Sequence, residues 1–547
     1  MGGSKKHYFD EYEVLLKKWA AFGSNNQKIS AVYAYIQKMS VISDLIREGV
    51  LFVDNKEKLY TKWDKKTQGD APPIFQVLKD QRDAFVRWAV EIPGVPESRV
   101  SRDAELWKSW EAYYLNQGET VDVCLVKGTR EKSSIQHLAK IRHDGDRAKL
   151  ISTNDTSNFT FLGRFTDSDQ AASVSLQTSQ KAHLALRWLV SRQGYRQDDL
   201  AIVAWCPEVV DPIPQPTEDT YSLLYGDDVK EGSEGLSNTA QDTANRLRMR
   251  IAGYGKIITG TSQIVIMGMD SATPGRLSII FYRKLSGSAF LKRIDDWHTS
   301  CAWMHRYRSA SVFDPETGKT EWQKISFIGA PAPKDIAEAV YGVNNNGKLH
   351  VDDKLRKATT KRLLPCIIDG HPIPRDMVES AVRRVSNKIG LEKWQWEKSL
   401  SIACALFKKF NGKEEYDMSL NFERKTRDYL YGRLLALAEN LEQWAIGASG
   451  EKRPTHAERL MQRFSERPYS TWLTIEMALS PYKAKLGTKS NKRQRMIDEV
   501  IASFEEDDFL SDKRLSGEFL LGYHCQRNYL WKSSHPEDDQ FEDGNEE

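Results

Sequence analysis

Hydrophobic positions follow two different spacings and divide the chain into a mixed region and a helical region. From about 11 to 50 they recur three and four residues apart, which predicts two amphipathic helices. Between about 120 and 290, short runs rich in β-branched and aromatic residues predict strands. The runs are VDVCLVKG, FTFLGRF, LAIVAWC, QIVIMGMD and RLSIIFYRKL. Helical segments at 178–194 and 238–255 interrupt them, so we expect a mixed domain that is not a regular βαβ repeat.

Beyond about 330 the strand pattern ends and helical spacing continues to about 532. Leu430, Leu434, Leu437 and Leu441 mark one helix, and several helix starts carry a proline. The predicted fold class is α+β, with antiparallel-type strands and helices first and an all-α C-terminal helical bundle after them. The predicted divisions are a mixed domain at 1–330, a helical connecting region at 331–417, a helical bundle at 418–534 and an acidic tail at 535–547.

The segment 206–235 separates two of the predicted strands and is rich in proline, glycine and acidic residues. This composition predicts a long exposed insertion.

Composition narrows the class of protein. Lys and Arg number 79 against 76 Asp and Glu, so a net charge of +3 excludes a bulk polycation and leaves local patches to bind any nucleic acid. A mean hydropathy of -0.57, with no apolar run near the roughly 18 residues of a membrane helix, excludes a membrane span. Six cysteines without a Cys-x-x-Cys pair predict reduced core thiols, and the cytoplasm is the expected location.

Enzyme and metal motifs are weak. Gly253-Tyr-Gly255-Lys256 does not match a phosphate-binding loop, because the lysine and hydroxyl that hold phosphate are misplaced. His298, Cys301 and His305 fall on one face of a predicted helix, but three zinc ligands on one helix lack a partner cluster, so a packed helix is favoured. Asp369, His371 and Asp376 surround a glycine and prolines, which favours a turn that leads into a helix. The sequence therefore predicts no catalytic residues, metal or cofactor.

Two basic patches are the candidate nucleic-acid-binding residues. The first lies in a predicted connection between two helices, SPYKAKLGTKSNKRQR, where cations follow one another without an acid. Such a cluster can neutralise phosphates and release counterions, although a solvated loop explains it equally well. The second flanks the strand RLSIIFYRKL, and its alternative is an ordinary sheet rim. For RLRMR, at 246–250, helix packing is favoured over nucleic-acid contact. The candidates are Lys483, Lys485, Lys489, Lys492, Arg493 and Arg495 in the first patch, and Arg276, Arg283, Lys284, Lys292 and Arg293 in the second.

Eight blocks, in order along most of the chain, carry a family likeness. They are CLVKG (124–128), DDLAIVAWC (198–206), MGMDSATPGRLSIIFYRKLSGSAFLKRIDDWH (267–298), GAPAPKDIAEAVYG (329–342), LLPCIIDGHPIPRDMVESAVRRVSN (363–387), EKWQWEKSLSIACALFKK (392–409), AERLMQRFSERPYSTWLTIEMALSPYKAKL (457–486) and LSGEFLLGYHCQRNYLW (515–531). Together they resemble the large subunit of the type I-C CRISPR surveillance complex, Cascade.

The resemblance implies a non-catalytic role in RNA-guided DNA binding. Guide crRNA would read the target by base pairing, while the large subunit reads a flanking motif (PAM) in double-stranded DNA, assists unwinding and stabilises the R-loop and its displaced strand. It further implies contacts with the backbone and handle-binding subunits of Cascade, with the small subunit and with a helicase-nuclease that it recruits. The C-terminal bundle would resemble the small subunit.

The resemblance also raises two expectations about where the chain and its parts begin. The family carries a further strand-rich N-terminal stretch, so the opening MGGSKKHYFDEYEVL is expected to correspond to its interior, and the PAM-reading residues cannot be assigned. Met418 is positioned as an internal start for a separately made bundle.

Two other functions stay open. A metal-dependent nucleic-acid-processing nuclease would need clustered carboxylates, and the sequence offers only pairs such as Asp295-Asp296. A purely structural scaffold would touch partners but no DNA.

Overall fold

The computed structural model describes residues 8–22, 26–117, 121–134, 136–152, 165–167, 170, 172–226, 240–273, 275–314, 319–412 and 414–532. The chain divides into two compact units, one of residues 1–137 and 153–181 and one of residues 138–152 and 182–547. The boundaries predicted at 330 and 417 both fall inside the second unit. The predicted strand FTFLGRF falls largely outside the described residues, as does the acidic tail.

The first unit begins with short helices that pack through a small apolar core. Leu16, Val32 and Ile36 are buried there, so part of the predicted helical stripe is confirmed, but Tyr12 and Leu15 of the same stripe are exposed. Three helices replace the two predicted between 11 and 50, and VDVCLVKG supplies only a three-residue strand. The elements are α1 (Phe9–Ala21), α2 (Gln27–Gln37), α3 (Val41–Arg47), α4 (Lys65–Gln68), α5 (Pro73–Val77), α6 (Ala104–Leu115) and the hairpin β1 (Val121–Val123) and β2 (Arg130–Lys132).

An antiparallel sheet of four strands forms the β part of the second unit. Its order is β3 (Tyr195–Gln197), β4 (Leu200–Trp205), β5 (Gln263–Thr273) and β6 (Arg276–Ser286). Every residue of β4 except its last is buried, as expected for a strand covered on both faces. The helix α7 (Leu176–Gln193) precedes these strands, and α8 (Thr220–Tyr225), α9 (Ala240–Ile257) and α10 (Gly287–Ser300) interrupt or follow them, which confirms the mixed pattern.

The predicted exposed insertion at 206–235 is wrong for its described part. Ile213, Tyr221 and Leu223 are buried, and the Gln215 side chain caps the end of β4 through the Ala204 backbone. The prediction from composition was wrong because the prolines and acids here lie in a connection that packs against the core. Asp219, for example, is the N-cap of α8.

A long hairpin of β7 (Trp303–Asp314) and β8 (Lys319–Gly329) was not predicted. It overturns the interpretation of His298, Cys301 and His305 as one helical face, since α10 ends at Ser300 and His305 lies on β7. Trp303 and His305 are buried and Arg306 is exposed, the alternation of a strand. The three- and four-residue spacing was coincidental.

Helices make up most of the chain after the hairpin. They are α11 (Pro333–Tyr341), α12 (Asp353–Ile368), α13 (Arg375–Ser386), α14 (Lys393–Phe410), α15 (Arg427–Gly447), α16 (His456–Glu466), α17 (Pro468–Leu486), α18 (Asn491–Ala502), α19 (Glu506–Phe509) and α20 (Glu518–Lys532). A small hairpin, β9 (Val343–Asn345) and β10 (Lys348–His350), interrupts the predicted all-helical connecting region.

Helix α15 lies at the centre of the helical region. Leu430, Leu434, Leu437 and Leu441 are fully buried on it, which confirms the predicted stripe. It approaches α20 so closely that a methyl group added at Gly432 would lie 1.9 Å from the carbonyl oxygen of Phe519. This contact needs a residue without a side chain.

The helical region shares its core with the sheet. One continuous cluster of buried apolar residues includes Leu200 of β4, Leu400 of α14 and Leu520 of α20. Met418 lies in a non-helical segment before α15 and packs against this cluster, and its use as an internal start stays a prediction. Among the described residues, no helix is both long and apolar enough to cross a membrane.

Candidate nucleic-acid interface

The first basic patch is helical, which corrects the predicted loop. Lys483 and Lys485 lie in the last turn of α17, Lys489 lies in a 3-10 turn at Gly487–Ser490, and the other cations lie in the first turns of α18. Positive φ at Gly487 marks the break between the helices.

Four of the six cations in this patch have no partner among the described residues. Lys489, Lys492 and Arg495 are exposed and Lys483 is half-buried, and none of their side chains forms an ion pair or hydrogen bond there. Lys492 and Arg495 are three residues apart and therefore share a face of α18. We call Lys483, Lys489, Lys492 and Arg495 the unpaired cation group.

The N-terminus of α18 is electrostatically unfavourable for Lys492, the member of the unpaired cation group in its first turn, and for Arg493 beside it. The first turn of α18 carries basic residues and no acid. A helix N-terminus has a partial positive charge, so each cation there costs about 0.3–1 kcal/mol at a surface site. An anion such as phosphate would relieve both the cations and the helix end.

The remaining two cations of the patch are held by protein groups. Arg493 donates to the Asn440 side chain at 3.3 Å, and its guanidinium lies 4.8 Å from the ring centre of Trp444. Lys485 donates to the Ser449 hydroxyl. Arg493 thus packs onto α15 beside a cavity of about 560 Å³, whose lining includes Trp444.

Two residues of the second patch, Arg283 and Arg293, meet at the turn after α12. Arg283 forms a two-pronged pair with Asp369, with both distances 2.9 Å, and Arg293 packs against Gly370, where an added methyl would lie 2.4 Å from its guanidinium. Strand β6 and helix α10 therefore meet the same turn, which the sequence did not predict. The turn itself, with Gly370 at positive φ, was predicted.

The other cations of the second patch differ in availability. Lys292 pairs with Asp296 at 3.1 Å, four residues along α10, whereas Lys284 is exposed without a partner among the described residues. Arg276 is half-buried and its strand end bridges to Lys149. In RLRMR, Arg246 pairs with Asp242 and Arg250 donates to the Leu223 carbonyl, as expected for packing.

The histidine and cysteine candidates for metal binding are buried in the protein core. His298 shares a hydrogen bond with Thr220 at 2.8 Å, and His305 contacts Ser401 at 2.9 Å and the Gly329 carbonyl at 3.0 Å. Burial lowers the pKa of each histidine to about 3 and raises the pKa of Cys301 to about 12. Within the described ranges, no group of three or more His, Cys, Asp or Glu side chains is placed to hold a metal ion.

Two of the three turn residues considered as an acid-base group, Asp369 and Asp376, form ion pairs with arginines. Asp376 pairs with Arg362 at 2.5 Å, and hydrogen bonding from Arg362 lowers the pKa of Asp376. Asp369 forms its ion pair with Arg283. All six cysteines are buried and unpaired with one another, as predicted.

Sequence reasoning missed a cleft of about 950 Å³ where β7, α14 and α20 meet. Its lining residues come from three segments of the chain, and the first and last segments are more than a hundred positions apart, so no local sequence pattern contains them all. The available signal in the sequence was a tryptophan in each of two predicted helical segments. We call it the aromatic cleft, and its lining includes Arg306, Tyr307, Lys393, Trp394, His524 and Trp531.

Comparison with known families identifies the chain at the family level. The family model described as CRISPR-associated protein (Cas_Csd1) matches residues 1–531. The chain belongs to the Csd1 family. Csd1 is the Cas8c large subunit of type I-C Cascade, so the resemblance found in the eight sequence blocks is confirmed. No curated protein matches the chain significantly.

Membership in the Csd1 family places the chain in CRISPR defence as a Cascade subunit. It implies assembly with crRNA and with other Cas subunits.

Proposed function

We propose that this Csd1 subunit is a non-catalytic DNA-binding component of type I-C Cascade. It recognises the PAM in double-stranded DNA, assists unwinding, stabilises the R-loop and recruits the helicase-nuclease. The observation that supports DNA binding most directly is the unpaired cation group, four cations on α17, α18 and the turn between them whose side chains form no ion pair among the described residues.

Whether a cation already has a protein partner matters more for DNA binding than how many cations the chain contains. A cation that already holds a carboxylate must lose that contact before it binds phosphate, whereas an unpaired one exchanges only water and counterions. Phosphate contacts fix position without reading sequence, so base pairing by the guide supplies the sequence specificity. A chain with a net charge of +3 is therefore compatible with DNA binding.

The alternative, a metal-dependent nuclease, needs carboxylates arranged around divalent ions. Two acids beside the second patch, Asp369 and Asp296, each hold a cation instead. Incubation of the purified chain with DNA and magnesium tests the alternative. Sustained cleavage that follows the protein through purification would overturn the non-catalytic assignment.

Target binding by the assembled complex tests the proposal. Cascade with its guide should bind duplex target containing a PAM much more tightly when this subunit is present. Alanine at the four unpaired cations should weaken that binding at physiological salt. Equal target binding by a complex that lacks the subunit would refute the proposal.

A further inference from the structure

We propose that the aromatic cleft binds one unpaired nucleobase of a single strand, with Arg306 and Lys393 at the adjacent phosphates. This inference rests on the proposed function, since it names the form of nucleic acid that a second site on the subunit takes. The cleft lies wholly within the second unit, and its volume of about 950 Å³ is within the usual range for small-ligand sites.

Two tryptophans supply stacking surfaces. Trp394 is 36% exposed and Trp531 is 43% exposed, although large aromatic rings are usually buried. The Trp394 indole N–H donates to the Glu392 carboxylate at 3.2 Å, which fixes one edge of the ring. The Arg306 guanidinium lies 5.0 Å from the Trp531 ring centre, close enough for a cation–π contact.

The net charge of the cleft lining is positive, because three cations, Arg306, Lys393 and Arg527, stand against two acids. Of its two acids, Glu397 holds Arg527 at 2.8 Å, and Glu392 caps α14 and accepts from Asn344 at 3.0 Å. Arg306 and Lys393 are exposed, and neither has an ion pair among the described residues. A ligand with phosphates beside an aromatic ring fits this combination.

Tyr307 and His524 are two polar side chains among the residues that line the cleft. The Tyr307 hydroxyl is buried and has no hydrogen-bond partner among the described residues, which is costly for a polar group unless a ligand satisfies it. Burial lowers the pKa of His524 to about 3, so its ring is neutral, and it faces the Asn528 amide at 3.2 Å.

These features favour an unpaired base over a duplex. In a duplex both faces of a base are covered by its neighbours, whereas an unpaired base can leave the stack and lie against an aromatic ring. Stacking on aromatic side chains tolerates every base, so we expect affinity for a single strand with little sequence preference.

The test measures binding of the purified full chain to a short single-stranded oligodeoxynucleotide that is not complementary to any guide. Trp531→Ala and Trp394→Ala should each weaken binding roughly 5- to 150-fold, the range for loss of one stacked base, while phenylalanine at either position should retain most of it. Trp188→Ala is the matched control, because Trp188 is also exposed and carries Arg192 on its ring at 4.8 Å, outside the cleft.

A photo-crosslink locates the contact independently of affinity. An oligonucleotide with 5-iodouracil should crosslink to peptides that contain Trp394 or Trp531. Lys393→Gln, which leaves the core untouched, should weaken binding, and the affinity of this variant should fall less steeply with rising salt than that of the wild type. Crosslinks that map elsewhere, or tryptophan-to-alanine variants that bind like wild type, would overturn the cleft proposal.

The outcomes separate this inference from the proposed function. If cleft variants bind the single strand normally while alanine at the unpaired cation group weakens duplex target binding, only the cleft proposal fails. If the purified chain binds neither form of DNA and Cascade binds its target without it, both fail. Capture of an acidic peptide by the cleft in preference to the oligonucleotide would also refute the nucleobase assignment.

Discussion

Alanine substitution of the unpaired cation group should flatten the salt dependence of duplex binding. Each cation that neutralises a phosphate of B-DNA contributes about -0.9 to the slope of log affinity against log salt. Four contacts therefore contribute about -3.6, and their removal should reduce the slope by that amount. Between 50 and 200 mM salt, the wild type should lose about 150-fold more affinity than the quadruple variant.

The assay is a filter-binding or fluorescence-anisotropy titration of assembled Cascade on duplex target at several salt concentrations. A matched control removes the same formal charge from four cations that each hold an acid at 2.5–3.1 Å. The control positions are Arg47, Lys127, Arg187 and Arg375.

The comparison with the control decides whether position or total charge matters. The control variant should keep most of the wild-type slope, because its cations already have protein partners. A change in slope below about 1 for the unpaired group, or an equal change in both variants, would refute the argument from pairing.

Two further predictions concern stability. Gly432→Ala should destabilise the chain by more than the roughly 1–3 kcal/mol of ordinary overpacking, since its methyl would meet the backbone of α20. Gly447→Ala on the same helix, with open space around it, should change the unfolding free energy in urea by about 1 kcal/mol or less, and equal effects would contradict this account. His298, His305 and His524 have pKa values lowered to about 3 by burial, against about 6.5 when unfolded, so the unfolded state binds more protons at acid pH. The unfolding free energy should therefore fall as pH drops from 6.5, by up to about 1.4 kcal/mol per pH unit per histidine; a constant value between pH 6 and 5, above the range of most carboxylates, would contradict it.

Local spacing was sufficient to predict most of the helices. A helix shows its buried stripe directly in the sequence, as Leu430, Leu434 and Leu437 do on α15. The hairpin of β7 and β8 was missed because a helical spacing of His298, Cys301 and His305 overlapped its start. The alternation of buried Trp303 and His305 with exposed Arg306 was present, but histidine and arginine obscure a two-residue period.

Pairings between distant segments could not be predicted from composition or spacing. Arg283 and Asp369 are 86 positions apart, yet they form an ion pair that takes up one cation of the second patch. The same limit applied to 206–226, where the prolines and acids of a packed connection resemble those of a surface loop. The cations of the first patch were found because they lie together in the chain, but which of them are unpaired depends on Asn440, Trp444 and Ser449 of α15 and the residues after it.

A nearly balanced chain can present a cationic surface because its acids are unevenly distributed between structural contacts and solvent. Beside the sheet, Asp369 and Asp296 neutralise two of the five cations of the second patch, Arg283 and Lys292. On α18 the acid nearest the cations, Asp498, accepts instead from the amide of Gln494 at 2.7 Å. The two patches are similar in composition but differ in how many of their cations are unpaired, and a charged ligand such as DNA responds to the unpaired cations. The salt dependence of DNA binding consequently counts unpaired cations, which makes it a more direct measure of this surface than net charge or isoelectric point.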